Sequence, residues 1–367
     1  MYKRIVIKVG TNLIADEKGV RRDFLKNFTT QAAGLMKAGK DVVIVSSGAI
    51  GLGIKKLGLS AKPSDVAEKQ AVAAVGQISL MQEYESMFEK QGMHAAQVLL
   101  DHEDIRHRAK IANASNTLNK LLEWRIVPVI NENDAVATEE IKFGDNDALA
   151  AITGSLVNAD LVIILTSVDG VYDKNPQKYP GASLIRNIEN IDDYIDKIDT
   201  TGKTGFGTGG MATKLEAARK LNYAGIPLII ANGNAPGVVE TAASGAGAGT
   251  FIYKKGKRAE SKKRWILLNL RTKGEVTIDE GAKKALLSGK SLLCVGVSGV
   301  KGDFDFGDAV EISDAKGVKL AKGISNYSSK DLKSVKGKKS KEIKALMQSG
   351  FYEEAIHRDN MASYTKG

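Results

Sequence analysis

Cysteine, proline and histidine are scarce in this 367-residue chain, which holds one, six and four of them. The lone cysteine, Cys294, excludes an internal disulfide and a cysteine-based zinc site. Six prolines against 38 glycines point to tight turns and close backbone approaches rather than extended proline-rich linkers. The glycines follow no Gly-X-Y period, which excludes a collagen-like chain. No apolar run approaches the roughly 20 residues that a membrane helix needs. Met1-Tyr2-Lys3-Arg4 leads straight into a strand pattern, so no secretory leader is expected. His94, His102, His107 and His357 lack the spacing of a metal site, and there is no Gly-x-Ser-x-Gly motif, so covalent hydrolase chemistry has little support. Together these absences fit a reducing cytoplasm.

What is present is ordinary for a globular protein, with 43% hydrophobic and 26% charged residues. The length suggests two or three domains. Charge is unevenly placed. Residues 251–367 hold 25 Lys+Arg and 14 Asp+Glu, a net of +11, whereas the first 250 residues carry a net of −1. A basic region of this kind suits contact with a polyanion such as RNA, and equally suits a solubilising surface.

The first 250 residues alternate strand and helix patterns. Apolar runs at 3–10, 41–48, 94–100, 126–130, 160–166 and 226–231 read as buried strands. Stretches 23–38, 64–91, 107–124, 146–157 and 211–224 read as helices. This alternation predicts an α/β sandwich around a largely parallel sheet. A basic polar segment, Lys254 to Trp265, marks a boundary. Beyond it, short strand-like runs at 266–270, 275–278, 292–297, 309–312 and 319–324, with one helix at Glu280–Leu287, predict a small β-rich barrel-like module. Residues 336–358 read as helical.

Two nucleotide signatures fail. Gly-Lys-Thr at 202–204 and Gly-Lys-Ser at 289–291 lack the upstream glycine of a P-loop, because Lys197 and Lys284 stand there. Gly205-Phe206-Gly207-Thr208-Gly209-Gly210 follows an acidic, polar stretch rather than a buried strand, which disfavours a Rossmann site. Five strand-end or helix-start clusters remain. Lys8-Val9-Gly10-Thr11-Asn12 puts a cation at a strand end, either beside a ligand or snorkelling to solvent. Ser46-Ser47-Gly48 enters a helix through small residues, as an anion-binding or merely tight turn. Asn131-Glu132-Asn133-Asp134 and Phe143-Gly144-Asp145-Asn146-Asp147 crowd acids and amides after an apolar strand, as a site or as a helix cap with a hydrated loop. Leu165-Thr166-Ser167-Val168-Asp169-Gly170 is a nucleoside site or a plain turn. Gly205 to Lys214 runs a glycine-rich loop into a helix bearing Thr213 and Lys214, an anion site or a flexible loop.

In this order, the five clusters resemble the amino acid kinase family. The resembling segments are IVIKVGTN (5–12), VSSGAIGLG (45–53), VPVINENDAVATEEIKFGDND (127–147), ILTSVDGVYDKNP (164–176) and GTGGMATKLEAA (207–218). Residues 274–327 are similar to the PUA module that many members carry. The resemblance implies a three-layer αβα sandwich over 1–254, a basic linker at 255–272, a PUA pseudobarrel over 273–353 and a tail at 354–367. The members matched most closely phosphorylate the side-chain carboxylate of L-glutamate with ATP and Mg²⁺, in proline biosynthesis. By matched position, Lys8 and Lys214 contact the transferring phosphoryl group and Asp147 orients them. Ser47, Asp134 and Asn146 hold glutamate. Lys8, Thr166, Ser167, Thr208, Gly209, Gly210, Met211, Ala212, Thr213 and Lys214 line the ATP site, and no residue is assigned to a metal. Many members have Thr-Asp where this chain has Thr166-Ser167. The resemblance further implies a cytoplasmic homo-oligomer, feedback inhibition by proline and hand-over of the product to a glutamyl phosphate reductase. An RNA-binding protein led by the basic C-terminal module, or another carboxylate kinase, stays open as an alternative.

Overall fold

The computed structural model describes all residues except 1, 17–18, 62, 102–103, 105–107, 137–145, 177, 196–209, 246, 255–270, 347–351 and 365–367. The chain divides into two units, Met1–Ser261 and Lys262–Gly367. The expected strand at 266–270, most of the expected linker, and the loops 143–145 and 205–209 lie outside the described residues.

In the first unit, strands and helices succeed one another as β1 (Arg4–Val9), α1 (Arg22–Lys37), β2 (Asp41–Ser46), α2 (Ala49–Leu57), α3 (Val66–Glu89), β3 (Ala95–Leu100), α4 (Arg108–Glu123), β4 (Val127–Glu132), α5 (Asn146–Leu156), β5 (Leu161–Thr166), α6 (Met211–Tyr223), β6 (Leu228–Asn232), α7 (Val238–Ser244) and β7 (Thr250–Ile252). They build an eight-stranded sheet in the order Asn187–Ile188, β7, β6, β5, β1, β2, β4, β3. From β6 to β3 every pairing is parallel; on the other side β7 runs antiparallel to β6, and Asn187–Ile188 pairs parallel with β7 at the edge.

Strand alternation sorts the side chains into two layers. Ile5, Ile7 and Val9 join the core formed with Leu25 and Phe28 of α1, Leu80 and Tyr84 of α3, and Val238 and Ala242 of α7. The opposite parity, Val6 and Lys8, faces α5 and α6. Helices on both faces make the predicted three-layer αβα sandwich. Of the eleven residues of α5, ten are buried, as suits its small side chains. The chain starts on the central strand β1, moves out through β2, β3 and β4, then returns past β1 to β5 and β6. That reversal opens a crevice at the carboxyl ends of the strands beside β1.

Two features near the crevice are informative. The strand expected at 126–130 continues through Asn131 and Glu132, which pair with Leu99 and Leu100 and are buried. The ladder to β3 outweighs the polarity of these two side chains. Helix α2 is the helix expected after Ser46-Ser47-Gly48, and the structure sets its length at Ala49–Leu57. It starts after Gly48, whose φ of 100° lies in the left-handed region that favours glycine.

The second unit has a five-stranded sheet built on β8 (Thr272–Ile278), with α8 (Glu280–Leu287), β9 (Val297–Gly302), β10 (Ala309–Asp314), β11 (Lys319–Ile324), α9 (Ser329–Val335), α10 (Ser340–Leu346) and β12 (Met361–Ser363). The strand order is β9, β8, β10, β11, β12. Val276, Ile278, Val310, Ile312 and Leu332 fill its core. Asp279 caps α8 by accepting from the Ala282 N–H at 2.7 Å. The end of the chain departs from expectation. Residues 336–358 are not one helix, and 354–367 is more than a tail. Glu354–Ile356 pairs with Leu292–Leu293, and β12 pairs antiparallel with β11. The helix-prone residues at 353–356 are overridden by sheet edges that need a partner.

Candidate active site

The parallel strands end level with one another. Val9 is in register with Ser46 of β2 and Leu165 of β5, Ile130 with Val45, and Asn232 with Thr166. The Gly10 N–H donates to the Leu165 carbonyl at 3.3 Å, so the first two residues past β1 stay on this edge. Four of the five sequence clusters therefore meet here, and the fifth arrives on α6.

At the centre stands Asp147 in the first turn of α5, fully buried. Lys8 Nζ lies 2.7 Å from its Oδ1, and Lys214 Nζ lies 3.1 Å from its Oδ2. Both lysine side chains are more than nine-tenths buried. Thr213 Oγ1 sits 3.0 Å from Asp147 Oδ2 and 2.9 Å from the Gly210 carbonyl. Lys8 comes from β1, Asp147 from α5 and Lys214 from α6. One carboxylate thus fixes two ammonium groups that arrive from different elements. Buried charges persist only when paired in this way. Helix α6 begins at Gly210 without a side-chain cap, so its first N–H groups and dipole face the same edge. Ammonium groups and uncapped helix amides are the groups that attract an anion.

Beside it lies an amide group. Asn146 Nδ2 shares its two N–H groups among three acceptors, the Ser46 carbonyl, Ser47 Oγ at 2.9 Å and Asn131 Oδ1 at 2.8 Å. Ser47 is half-buried at the mouth of the turn into α2. That turn is set by close helix packing. A Cβ at Gly76 of α3 would fall 1.7 Å from the Ala49 carbonyl oxygen, and one at Gly53 would fall 1.9 Å from the Val72 carbonyl oxygen.

The Amino acid kinase family profile matches residues 3–232, and the PUA domain profile matches residues 274–347. The chain belongs to the amino acid kinase family. Several curated relatives align along its whole length. A glutamate 5-kinase of Thermoanaerobacter sp. (strain X514) is 44% identical, covering 99% of this chain and 98% of that protein. One of Dictyoglomus thermophilum is 44% identical, covering 100% and 99%. One of Myxococcus xanthus is 40% identical, covering 98% and 96%.

Within this amino acid kinase, the structure brings Lys8, Asp147, Lys214 and Thr213 into one cluster, and Ser47, Asn146 and Asn131 into an adjoining one. Asp134 lies in the turn just beyond β4, closed by the Val136 N–H on the Asn133 carbonyl at 3.1 Å. Thr166 ends β5, its carbonyl accepting from the Gly233 N–H at 2.8 Å, and Ser167 is exposed beyond it. Gly210, Met211 and Ala212 form the start of α6, with Ala212 exposed. Thr208 and Gly209 lie outside the described residues.

Gln77 joins this polar network without being expected at the site, and Asn131 is expected there only as part of the 131–134 cluster. Gln77 occupies the buried stripe of α3, with Ala73, Leu80 and Tyr84. A glutamine on an otherwise apolar helix face was the available signal. Elsewhere, burial pushes the Cys294 thiol up to about 11, which keeps it protonated and unreactive at neutral pH. His94 pairs with Glu85 at 2.8 Å in an exposed cluster with Glu89, and that hydrogen bond raises its pKa. Among the described residues, no helix is long and apolar enough to cross a membrane.

Proposed function

We propose that this chain is an ATP-dependent glutamate 5-kinase, converting L-glutamate to L-glutamyl 5-phosphate at the first step of proline biosynthesis. The observation that carries this reading is the pair of buried lysines held on the two oxygens of Asp147 at the strand edge. Full-length relatives named glutamate 5-kinase agree with it.

The chemistry needs little more. The γ-carboxylate has a reference pKa of about 4.3, so it is ionised at neutral pH and no general base is required. Its oxygen attacks the γ-phosphorus of ATP as the bond to the ADP oxygen breaks, and no proton moves. The barrier is the approach of one anion to another. Positioning and positive charge lower it, here through Lys8, Lys214 and the amides at the start of α6. Both oxygens of Asp147 face ammonium groups, so this carboxylate suits lysine alignment rather than metal ligation. Mg²⁺ would accompany ATP, its charge offsetting that of the phosphates. Thr166, Ser167 and residues 208–214 would line the nucleotide, whose binding at Ser167 rests on backbone rather than side chain. Ser47, Asp134 and Asn146 would hold glutamate.

The same reading places the enzyme in the cytoplasm as a homo-oligomer, inhibited by proline, with a labile acyl phosphate handed to a reductase. An RNA-binding protein led by the C-terminal unit is not favoured, since kinase relatives cover the whole chain, PUA domain included.

Two measurements test the assignment. In an ATP-dependent hydroxamate assay, glutamate supports turnover and aspartate, one methylene shorter, supports far less; equal rates would point to another carboxylate kinase. Asp134→Ala raises the KM for glutamate by about 10–100-fold, as expected for a lost charged hydrogen bond to the α-ammonium, and barely moves the KM for ATP. A defect confined to ATP would reassign Asp134 to the nucleotide.

A further inference from the structure

A chain of side-chain amides runs behind the proposed glutamate site. Asn146 Nδ2 donates to Asn131 Oδ1 at 2.8 Å, Asn131 Nδ2 donates to Gln77 Oε1 at 2.8 Å, and Gln77 Nε2 donates to Gln97 Oε1 at 3.0 Å. Asn146, Asn131 and Gln77 are buried, whereas Gln97 on β3 is exposed. The chain passes over the strand ends and ties α3, on one face of the sheet, to α5 on the other.

Its direction is dictated by two backbone groups, which have only one hydrogen-bonding sense each. The Glu132 N–H can only donate, and it reaches Asn131 Oδ1 at 2.9 Å. Asn131 must therefore turn its NH₂ toward Gln77, which must answer with Oε1. At the other end, the Ser46 carbonyl can only accept, so the atom of Asn146 facing it is Nδ2. These anchors remove the usual freedom of amide groups to be read either way round. With its NH₂ committed to Ser46, Ser47 and Asn131, Asn146 has its carbonyl Oδ1 turned away from all three, as an acceptor.

We infer that Gln77, backed by Gln97, is a positioning residue that locks Asn146 with its carbonyl presented to the substrate's α-ammonium, and so selects for an unmodified amino acid. This rests on the glutamate-kinase reading above. An acceptor there complements an ammonium, which donates only, and it opposes a second acceptor at that position. Gly76 serves the same end from the neighbouring position on α3, by pressing it against the turn that carries Ser47.

The test compares L-glutamate with glutarate, the same dicarboxylate without the amino group. In Gln77→Met, which keeps the length and removes both hydrogen bonds, the KM for glutamate rises about tenfold. The inhibition constant of glutarate, the KM for ATP and kcat stay within about twofold. Gln77→Glu still accepts from Asn131, and the exposed Gln97 amide is free to reverse and donate to it, so this variant stays within about threefold of wild type for glutamate. Equal losses for glutamate and glutarate would mean general damage to the site and would overturn the inference. So would unchanged glutamate affinity in Gln77→Met, or a Gln77→Glu variant as impaired as Gln77→Met. If Gln77→Met does not fold, Gln97→Ala at the exposed end carries the test: the preference for glutamate over glutarate falls about threefold, and an unchanged preference overturns the inference. Wild-type enzyme that makes no hydroxamate from glutamate refutes the kinase assignment itself, whereas active wild type with an unaltered preference in the variants refutes only the relay.

Discussion

Lys8→Ala and Lys214→Ala each lower kcat by about 10²–10³-fold, with a much smaller change in the KM for glutamate. Each ammonium sits within 3.1 Å of Asp147 and is more than nine-tenths buried, where a charge acts with little screening by water. Its contribution peaks as the phosphoryl group is in flight, so the loss falls on turnover. Losing Lys8 also leaves Asp147 Oδ1 buried without that ammonium, and circular dichroism at the assay temperature separates a folded, slow enzyme from an unfolded one. Folded variants of both lysines with near-wild-type kcat at saturating ATP and glutamate would remove the proposed source of catalysis.

The second large effect is structural. Gly76→Ala destabilises the first unit by about 3 kcal/mol or more, because the new methyl meets the Ala49 carbonyl oxygen and the Gly53 nitrogen at 1.7 and 2.5 Å. Both are backbone atoms, so helix α3 has to withdraw from α2 as a body. A fall in Tm of roughly 6–12 °C follows for a unit of this size, with loss of glutamate affinity as the Ser47 turn shifts. Gly51→Ala is the internal control. It lies in the same α2 helix with nothing within 4 Å of its added Cβ, so it is neutral or slightly stabilising. A Gly76→Ala protein as stable as Gly51→Ala would show that the two helices do not pack this tightly.

Much of this architecture is legible in the sequence where period and burial agree. Ile5, Ile7 and Val9 face one helix layer, and Val6 and Lys8 face the other; the residues alone leave Lys8 either beside a ligand or snorkelling to solvent, and its burial against Asp147 removes the snorkelling reading. For Asp147 the residues alone leave a site or a helix cap open, and its pairing with both lysines shows only in the structure. Chain spacing alone does not say that Lys8, Asp147 and Lys214 meet, because they lie on three elements and converge only when the sheet order is set. Two failures have physical causes. Asn131 and Glu132 read as loop because strand polarity counts side chains, whereas the ladder to Leu99 and Leu100 counts backbone. The segment at 354–363 read as helix and tail because propensity is local, whereas its strands exist only through distant partners at 292–293 and 319–324. Gln77 was passed over for a related reason. A lone glutamine on an apolar helix face is a weak signal, and its partners are visible only once Asn131 and Gln97 stand at hydrogen-bond distance on either side.

The most direct measurement of the central claim follows oxygen. Glutamate carrying heavy oxygen in its γ-carboxylate is incubated with MgATP, enzyme and hydroxylamine, and the released phosphate is read by phosphorus NMR. If the carboxylate is the nucleophile, its oxygen bridges carbon and phosphorus in the acyl phosphate. Hydroxylamine then attacks the carbonyl carbon, and each phosphate released leaves with one labelled oxygen. Phosphate carrying no label, formed at the same rate, would mean that water rather than glutamate takes the phosphoryl group, and would contradict the account.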